Sequence, residues 1–438
     1  MEEFLTTLSA TLLVVWTIIK TWWWVLLPIF AWKRFIFMWR RWREEAYSKT
    51  VGYAMFEIKM PGEVDRPFKA MEQVFAGWWM LFDPADWWEY WWEGKYQVKI
   101  SIEIVSDGGE IHFYLRFPKA LRNLIEASIY SQYPEVELID AEDYTKKIPQ
   151  DIPNESWDLW GCDYELMKPD IYPIKTYERF FEETNISKEY QRIDPMGALL
   201  EGLSQTKPGE QIWVQFILKP VTNVENNYKD RAKAEVAKLA FRGDPKANMK
   251  DSTLIKKAID VVAFGKMPDG PVVDKPESIL PPEMKLTPGE REIVAQIEHK
   301  ISKTMFETVS RFIILGEKDK WNKANLKNIL GYYANFNTEN TNNLKPWSPS
   351  ITKIHKHESF FTNLFLHDRK LYLKKRKLIS QYSSRFNYNF PKDNKENFVL
   401  NLEELASMFH FVGRSAIPSP NVQRIESKKA EPPTNLPS

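Results

Sequence analysis

Cysteine is almost absent: Cys162 is the sole one in 438 residues. That excludes an internal disulfide framework and a multi-cysteine zinc site, and it suits a reducing compartment. Cys162 has no motif around it and reads as a small buried residue. The phosphate-binding pattern G-x-x-x-x-G-K-[ST] is missing as well. The Gly-Lys pairs, Gly94-Lys95 and Gly265-Lys266, lack both the following Ser/Thr and the upstream glycine. No H-E-x-x-H or G-x-S-x-G occurs. His355 and His357 lack a third ligand nearby and read as part of a surface loop. Charge of one sign is lacking too: 60 Lys and Arg oppose 59 Asp and Glu, so no global nucleic-acid signal is present. The expectation is a protein with no catalytic, nucleotide-binding or metal residues and no cofactor, and not an enzyme.

What is present begins with an apolar run. Phe4 to Trp32 reads FLTTLSATLLVVWTIIKTWWWVLLPIFAW, with Lys20 as its one charge. A bilayer core needs roughly 20 apolar helical residues. Lys33, Arg34, Arg40, Arg41 and Arg43 follow, and positive flanks stay cytoplasmic. The run therefore predicts a single-pass transmembrane helix over 1–44 in the inner membrane, N-terminus outside, bulk of the chain inside. Trp22, Trp23, Trp24, Trp32 and Trp39, with those five cations, are the expected membrane-interface anchors.

Residues 45–150 alternate in a strand, helix, hairpin, helix, strand order. Val98, Ile100, Ile102 and Ile104 fall on one side of a strand, with Lys99, Ser101 and Glu103 on the other. Asp107-Gly108-Gly109 supplies the hairpin. The order predicts a ferredoxin-like (βαββαβ) domain. Its open face would show His112, Tyr114 and Arg116, the arrangement on which an RNA-recognition sheet stacks bases, but the required glycine-aromatic motif is missing. Within it lies DWWEYWWE. Trp87 and Trp91 are four apart, as are Trp88 and Trp92, so one helical turn would stack each pair. These four either cover the sheet end or form a partner or membrane patch.

Residues 151–350 repeat the order more faintly, predicting a second ferredoxin-like domain with a helical insertion at about 221–301. Asp194-Pro195 and Thr287 with Glu290 are expected helix starts. A basic helical region over 351–412 contains DRKLYLKKRK. Its Lys374, Lys375, Arg376 and Lys377 are either a solvated helix face or a contact for DNA phosphates or anionic lipid headgroups. Residues 413–438 form a Pro-rich tail or linker. The fold class is thus α+β: a transmembrane helix, two tandem ferredoxin-like domains and a helical C-terminal region.

Three stretches carry a resemblance: FKAMEQVFAG, SIEIVSDGGEIHFYLRFPKALRNLIEASIYSQYPEVELIDAEDYT, and VLNLEELASMFHF with the following SPNVQRIESKKAEPPTNLP. They resemble the N-terminal region of bacterial membrane-associated type IV secretion and conjugation ATPases of the coupling-protein or HerA-helicase kind. In those proteins a similar linker leads into a P-loop motor, and this sequence stops where the motor would begin. The resemblance implies a membrane-anchored, non-catalytic scaffold or adaptor of a DNA- or protein-translocating machine. Its expected partners are the membrane, a separate P-loop ATPase and further copies of the chain. The alternative is a membrane-tethered DNA-binding protein using the basic helix.

Overall fold

The computed structural model describes residues 2–60, 64, 67–180, 194–240, 286–320, 325–353, 360–386 and 397–412. They fall into two compact units. The first holds the described residues of Met1–Gly52 and Asp83–Val98; the second holds those of Tyr53–Phe82, Lys99–Tyr388 and Asp393–Ser438.

The first unit is one long helix, Glu2–Val51, with a short aromatic segment against it. Among the described residues no helix is long and apolar enough to cross a membrane. The predicted transmembrane anchor, its N-outside orientation and the inner-membrane assignment are therefore corrected. The apolar run is broken by Lys20 and by threonines. It is rich in tryptophan, whose indole N–H makes it only partly apolar. The helix also does not stop at the basic cluster but continues to Val51. Against it lies a π-helical turn, Glu89–Glu93. Gly94 follows at φ +77°, where an added Cβ would stand 2.3 Å from the Arg43 carbonyl oxygen. Only glycine allows that approach.

The second unit is built on a sheet of β1 (Tyr53–Lys59), β2 (Ile100–Asp107), β3 (Glu110–Pro118), β4 (Glu137–Asp140), β5 (Trp157–Leu166), β6 (Glu210–Val221), β7 (Met305–Glu317), β8 (Leu344–Pro346) and β9 (Phe398–Asn401). The order is β4-β1-β3-β2-β6-β7-β5-β8, with β9 also paired to β7. Every pairing is antiparallel.

The expectation of two tandem ferredoxin-like domains is corrected here. β2 and β6 pair from Ile100↔Leu218 to Asp107↔Gln211, which joins all the strands into one sheet. The reason lies in the face that alternation assigned to solvent. Ser101 and Glu103 are buried, and so is Gln215 on β6. Both strands are covered on both faces, as central strands are.

One face carries Phe56, Phe113, Phe117, Ile102, Ile104, Val214, Phe216 and Phe312, all buried. Helices Pro67–Trp78, Arg122–Tyr130, Pro195–Ser204, Leu326–Ala334 and Leu402–Met408 cover it. Trp78 Nε1 donates to Ser128 Oγ at 2.7 Å, and Ser310 and Tyr333 share a hydrogen bond of 2.6 Å. The opposite face carries Val105, Tyr114, Trp213, Ile313 and Leu315. The helix Phe360–Ser384 closes it with Leu378, Ile379 and Tyr382, helped by Tyr144, Ile148 and Ile152. The face that could have stacked bases is thus sealed, with Tyr114 only 7% exposed.

Candidate functional site

Two clusters of charged side chains among the described residues of the second unit differ in their chemistry. The first is sealed under the helix Phe360–Ser384. Arg385 follows that helix at φ +58°, which swings its guanidinium back over the sheet. It grips Glu103 on β2 with both arms, Nε to Oε1 at 2.9 Å and Nη2 to Oε2 at 3.0 Å. Nη2 also donates to Asp143 Oδ1 at 2.9 Å. Gln215 Nε2 and Ser101 Oγ donate to Glu103 Oε1. Tyr144 gives its proton to Glu103 Oε2 at 2.7 Å, so Tyr382 must be the donor in their 2.9 Å bond. Burial pushes the Glu103 carboxyl up, but Arg385 and these donors outweigh it and hold it below the usual range. Every lone pair of the carboxylate is engaged. The adjoining cavity, between Ser101, Arg116 and Arg385, is about 10 Å³, room for at most one water. This cluster is structural.

The second cluster is open. A cleft of about 320 Å³ is lined by Lys69, Glu72, Gln132, Tyr177, Glu178 and Lys303. Four elements meet there. The helix Pro67–Trp78 brings Glu72, and the turn Tyr177–Arg179 brings Tyr177 and Glu178. The helix Pro288–Ser302 brings His299 and ends at Lys303; the helix Leu402–Met408 brings Glu403. Lys303 Nζ lies 2.7 Å from Glu403 Oε2 and 3.4 Å from Glu72 Oε2. His299 Nε2 lies 2.8 Å from the same Glu403 oxygen. Tyr177 donates to Glu72 at 2.7 Å.

Burial alone would lower the Lys303 ammonium, but Glu403 and Glu72 carry it above its ordinary value. Burial would raise Glu403, yet Lys303 draws it below the usual carboxylate range. Behind it Glu404 and Lys300 form a fully buried pair at 2.9 Å. There burial wins, and the Glu404 carboxyl is raised despite Lys300. The ligand atoms of Glu178, His299 and Glu403 all lie within 4.8 Å of one another. None of these residues was singled out from the sequence. They come from segments over 300 positions apart, and the local signal was a His299–Lys303 spacing of four on one helix.

The sequence-predicted residues lie elsewhere. In the basic helix Lys375 pairs with Asp158, and Arg376 donates to the Gln150 carbonyl at 2.7 Å. Lys374 is half-buried and Lys377 exposed. The four do not form one free phosphate-binding surface. In the first unit the rings of Trp88 and Trp92 meet at 5.6 Å, while Trp91 turns to Tyr90 at 5.2 Å. Trp39 donates to the Trp91 carbonyl at 3.1 Å, and Arg40 lies 3.5 Å over the Tyr90 ring. Trp39 and Arg40 therefore pack inside the unit. Trp22, Trp24 and Trp32 are exposed, as are Lys33, Arg34 and Arg41, while Arg43 lies 5.5 Å over the Trp42 ring. The Trp23 side chain, His355, His357 and the Pro-rich tail lie outside the described residues. Cys162 is buried, and burial pushes its thiol up.

No curated protein matches the sequence. A family model described as a domain of unknown function (DUF8128) matches residues 93–381, and the chain belongs to that family.

Proposed function

We propose that this member of a functionally undefined family is a non-catalytic scaffold or adaptor of a type IV secretion-like translocation machine. It would recruit a separate P-loop ATPase. The observation that carries the reading is the aromatic turn of the first unit. Trp87 is 68% exposed, Trp88 58% and Trp92 47%. Clustered exposed aromatics of this kind mark protein–protein contact sites. The sequence resemblance supplies the class of partner. The commitment of Lys375 and Arg376 to internal partners weighs against the DNA-binding alternative.

The test is affinity capture of the full chain from its native cell after mild crosslinking, read by mass spectrometry. Wild-type protein is expected to retain a P-loop ATPase, and the Trp87→Ser/Trp88→Ser/Trp92→Ser variant to lose it. A wild-type capture without any P-loop ATPase overturns the proposal.

A further inference from the structure

The geometry points to a divalent metal site of the zinc class at Glu178, His299 and Glu403. The inference goes beyond the scaffold reading and does not depend on it. A mixed imidazole and carboxylate donor set suits zinc and its neighbours and is poor for magnesium, which prefers oxygen alone. The three donors arrive from three separate elements, and their ligand atoms lie within 4.8 Å of one another. Around one zinc, donors at about 2.1 Å in tetrahedral array stand roughly 3.4 Å apart. The His299–Glu403 pair at 2.8 Å must open slightly and Glu178 close in. Glu178 is an exposed side chain on a turn, so that movement is cheap.

Two further observations favour a cation here. The first is that the position already holds one: the Lys303 ammonium sits 2.7 Å from the Glu403 oxygen that a metal would use. Lys303 is also within 3.4 Å of Glu72, and its four-carbon stem lets it swing onto that carboxylate and release Glu403. The second is Glu178 itself, which enters no ion pair or hydrogen bond among the described residues. It also lines the 320 Å³ cleft together with Lys303, which leaves its carboxylate free to turn toward His299 and Glu403. Ligation would use the Nε2 lone pair of His299, which faces Glu403 Oε2 at 2.8 Å, with the ring proton on Nδ1. The ion would tie the helix Pro288–Ser302, the turn Tyr177–Arg179 and the helix Leu402–Met408 together.

The test is calorimetric titration of the untagged full chain with Zn²⁺ at neutral pH in a non-coordinating buffer. One Zn²⁺ per chain is expected, with no response to Mg²⁺. Glu178→Gln and His299→Ala, both at exposed side chains, are each expected to weaken binding by at least about tenfold with unchanged circular dichroism. Lys303→Met removes the competing cation and is expected to tighten binding. Absence of Zn²⁺ binding, equal binding of Mg²⁺, or Zn²⁺ binding unaffected by Glu178→Gln and His299→Ala overturns the inference.

Discussion

The Glu103–Arg385 cluster and the Glu403–Lys303 cluster use similar residues to opposite ends. In the first, the cation is a guanidinium whose planar fork matches a carboxylate, and a helix closes over the pair. In the second, the cation is a lysine shared between two carboxylates at the mouth of a cleft. Arginine fixes one arrangement; lysine on a flexible stem permits several. The difference separates a charge pair that locks a fold from one that can exchange its cation for another.

Four experiments break or sharpen that contrast. Arg385→Met leaves Glu103 buried without its counter-charge, and a loss of about 3–5 kcal/mol is expected in denaturant unfolding. A loss under 1 kcal/mol would show the network is not a lock. Lys300→Met strands Glu404, but that carboxyl is already raised by burial and can take a proton instead. The expected loss is about 2 kcal/mol, smaller at pH 5 than at pH 8.

Third, acid should act through the sealed cluster. The folded-state value of Glu103 is lowered from its ordinary 4.5, and that of Asp143 from 3.8. Their stabilisation is therefore fully present above pH 4.5 and is lost as pH falls through the lowered values. Unfolding free energy measured between pH 6 and pH 3 should fall less steeply in Arg385→Met than in wild type. The smallest effect is expected from Glu178→Gln, within about 0.5 kcal/mol of wild-type stability, because its carboxylate is paired with nothing in the described fold. A larger loss would make the open cluster structural as well.

Local signals in the sequence were read well. Thr287 and Glu290 form the expected capping box. Asp194 caps the helix begun by Pro195. Alternation placed Ile100, Ile102 and Ile104 in the core. Alternation failed at Ser101 and Glu103, because a polar residue on a central strand reads as solvent-facing until its partners are known. The partner of Glu103, Arg385, lies far along the chain. The same distance hid the single sheet: no residue in β2 announces that its neighbour is β6. The membrane reading failed for a different reason: the run is long enough to span, but Lys20, the threonines and the indole N–H groups lower its apolar character. The open cluster left only the His299–Lys303 spacing of four as a local signature, because each of its four elements contributes only one or two residues.

The β2–β6 junction has a consequence for how the chain is made. Residue 100 must wait for residue 218 before its backbone is paired, a gap of about 118 positions. At roughly 5–20 residues per second of synthesis, the edge stays open for several seconds or more. One of its faces is apolar and β-branched, with Ile100, Ile102 and Ile104, and a long unpaired edge of that kind pairs wrongly with other chains. Newly made protein should therefore depend on chaperone cover until the Glu210–Val221 segment emerges, and a fragment ending near residue 150 should aggregate rather than fold.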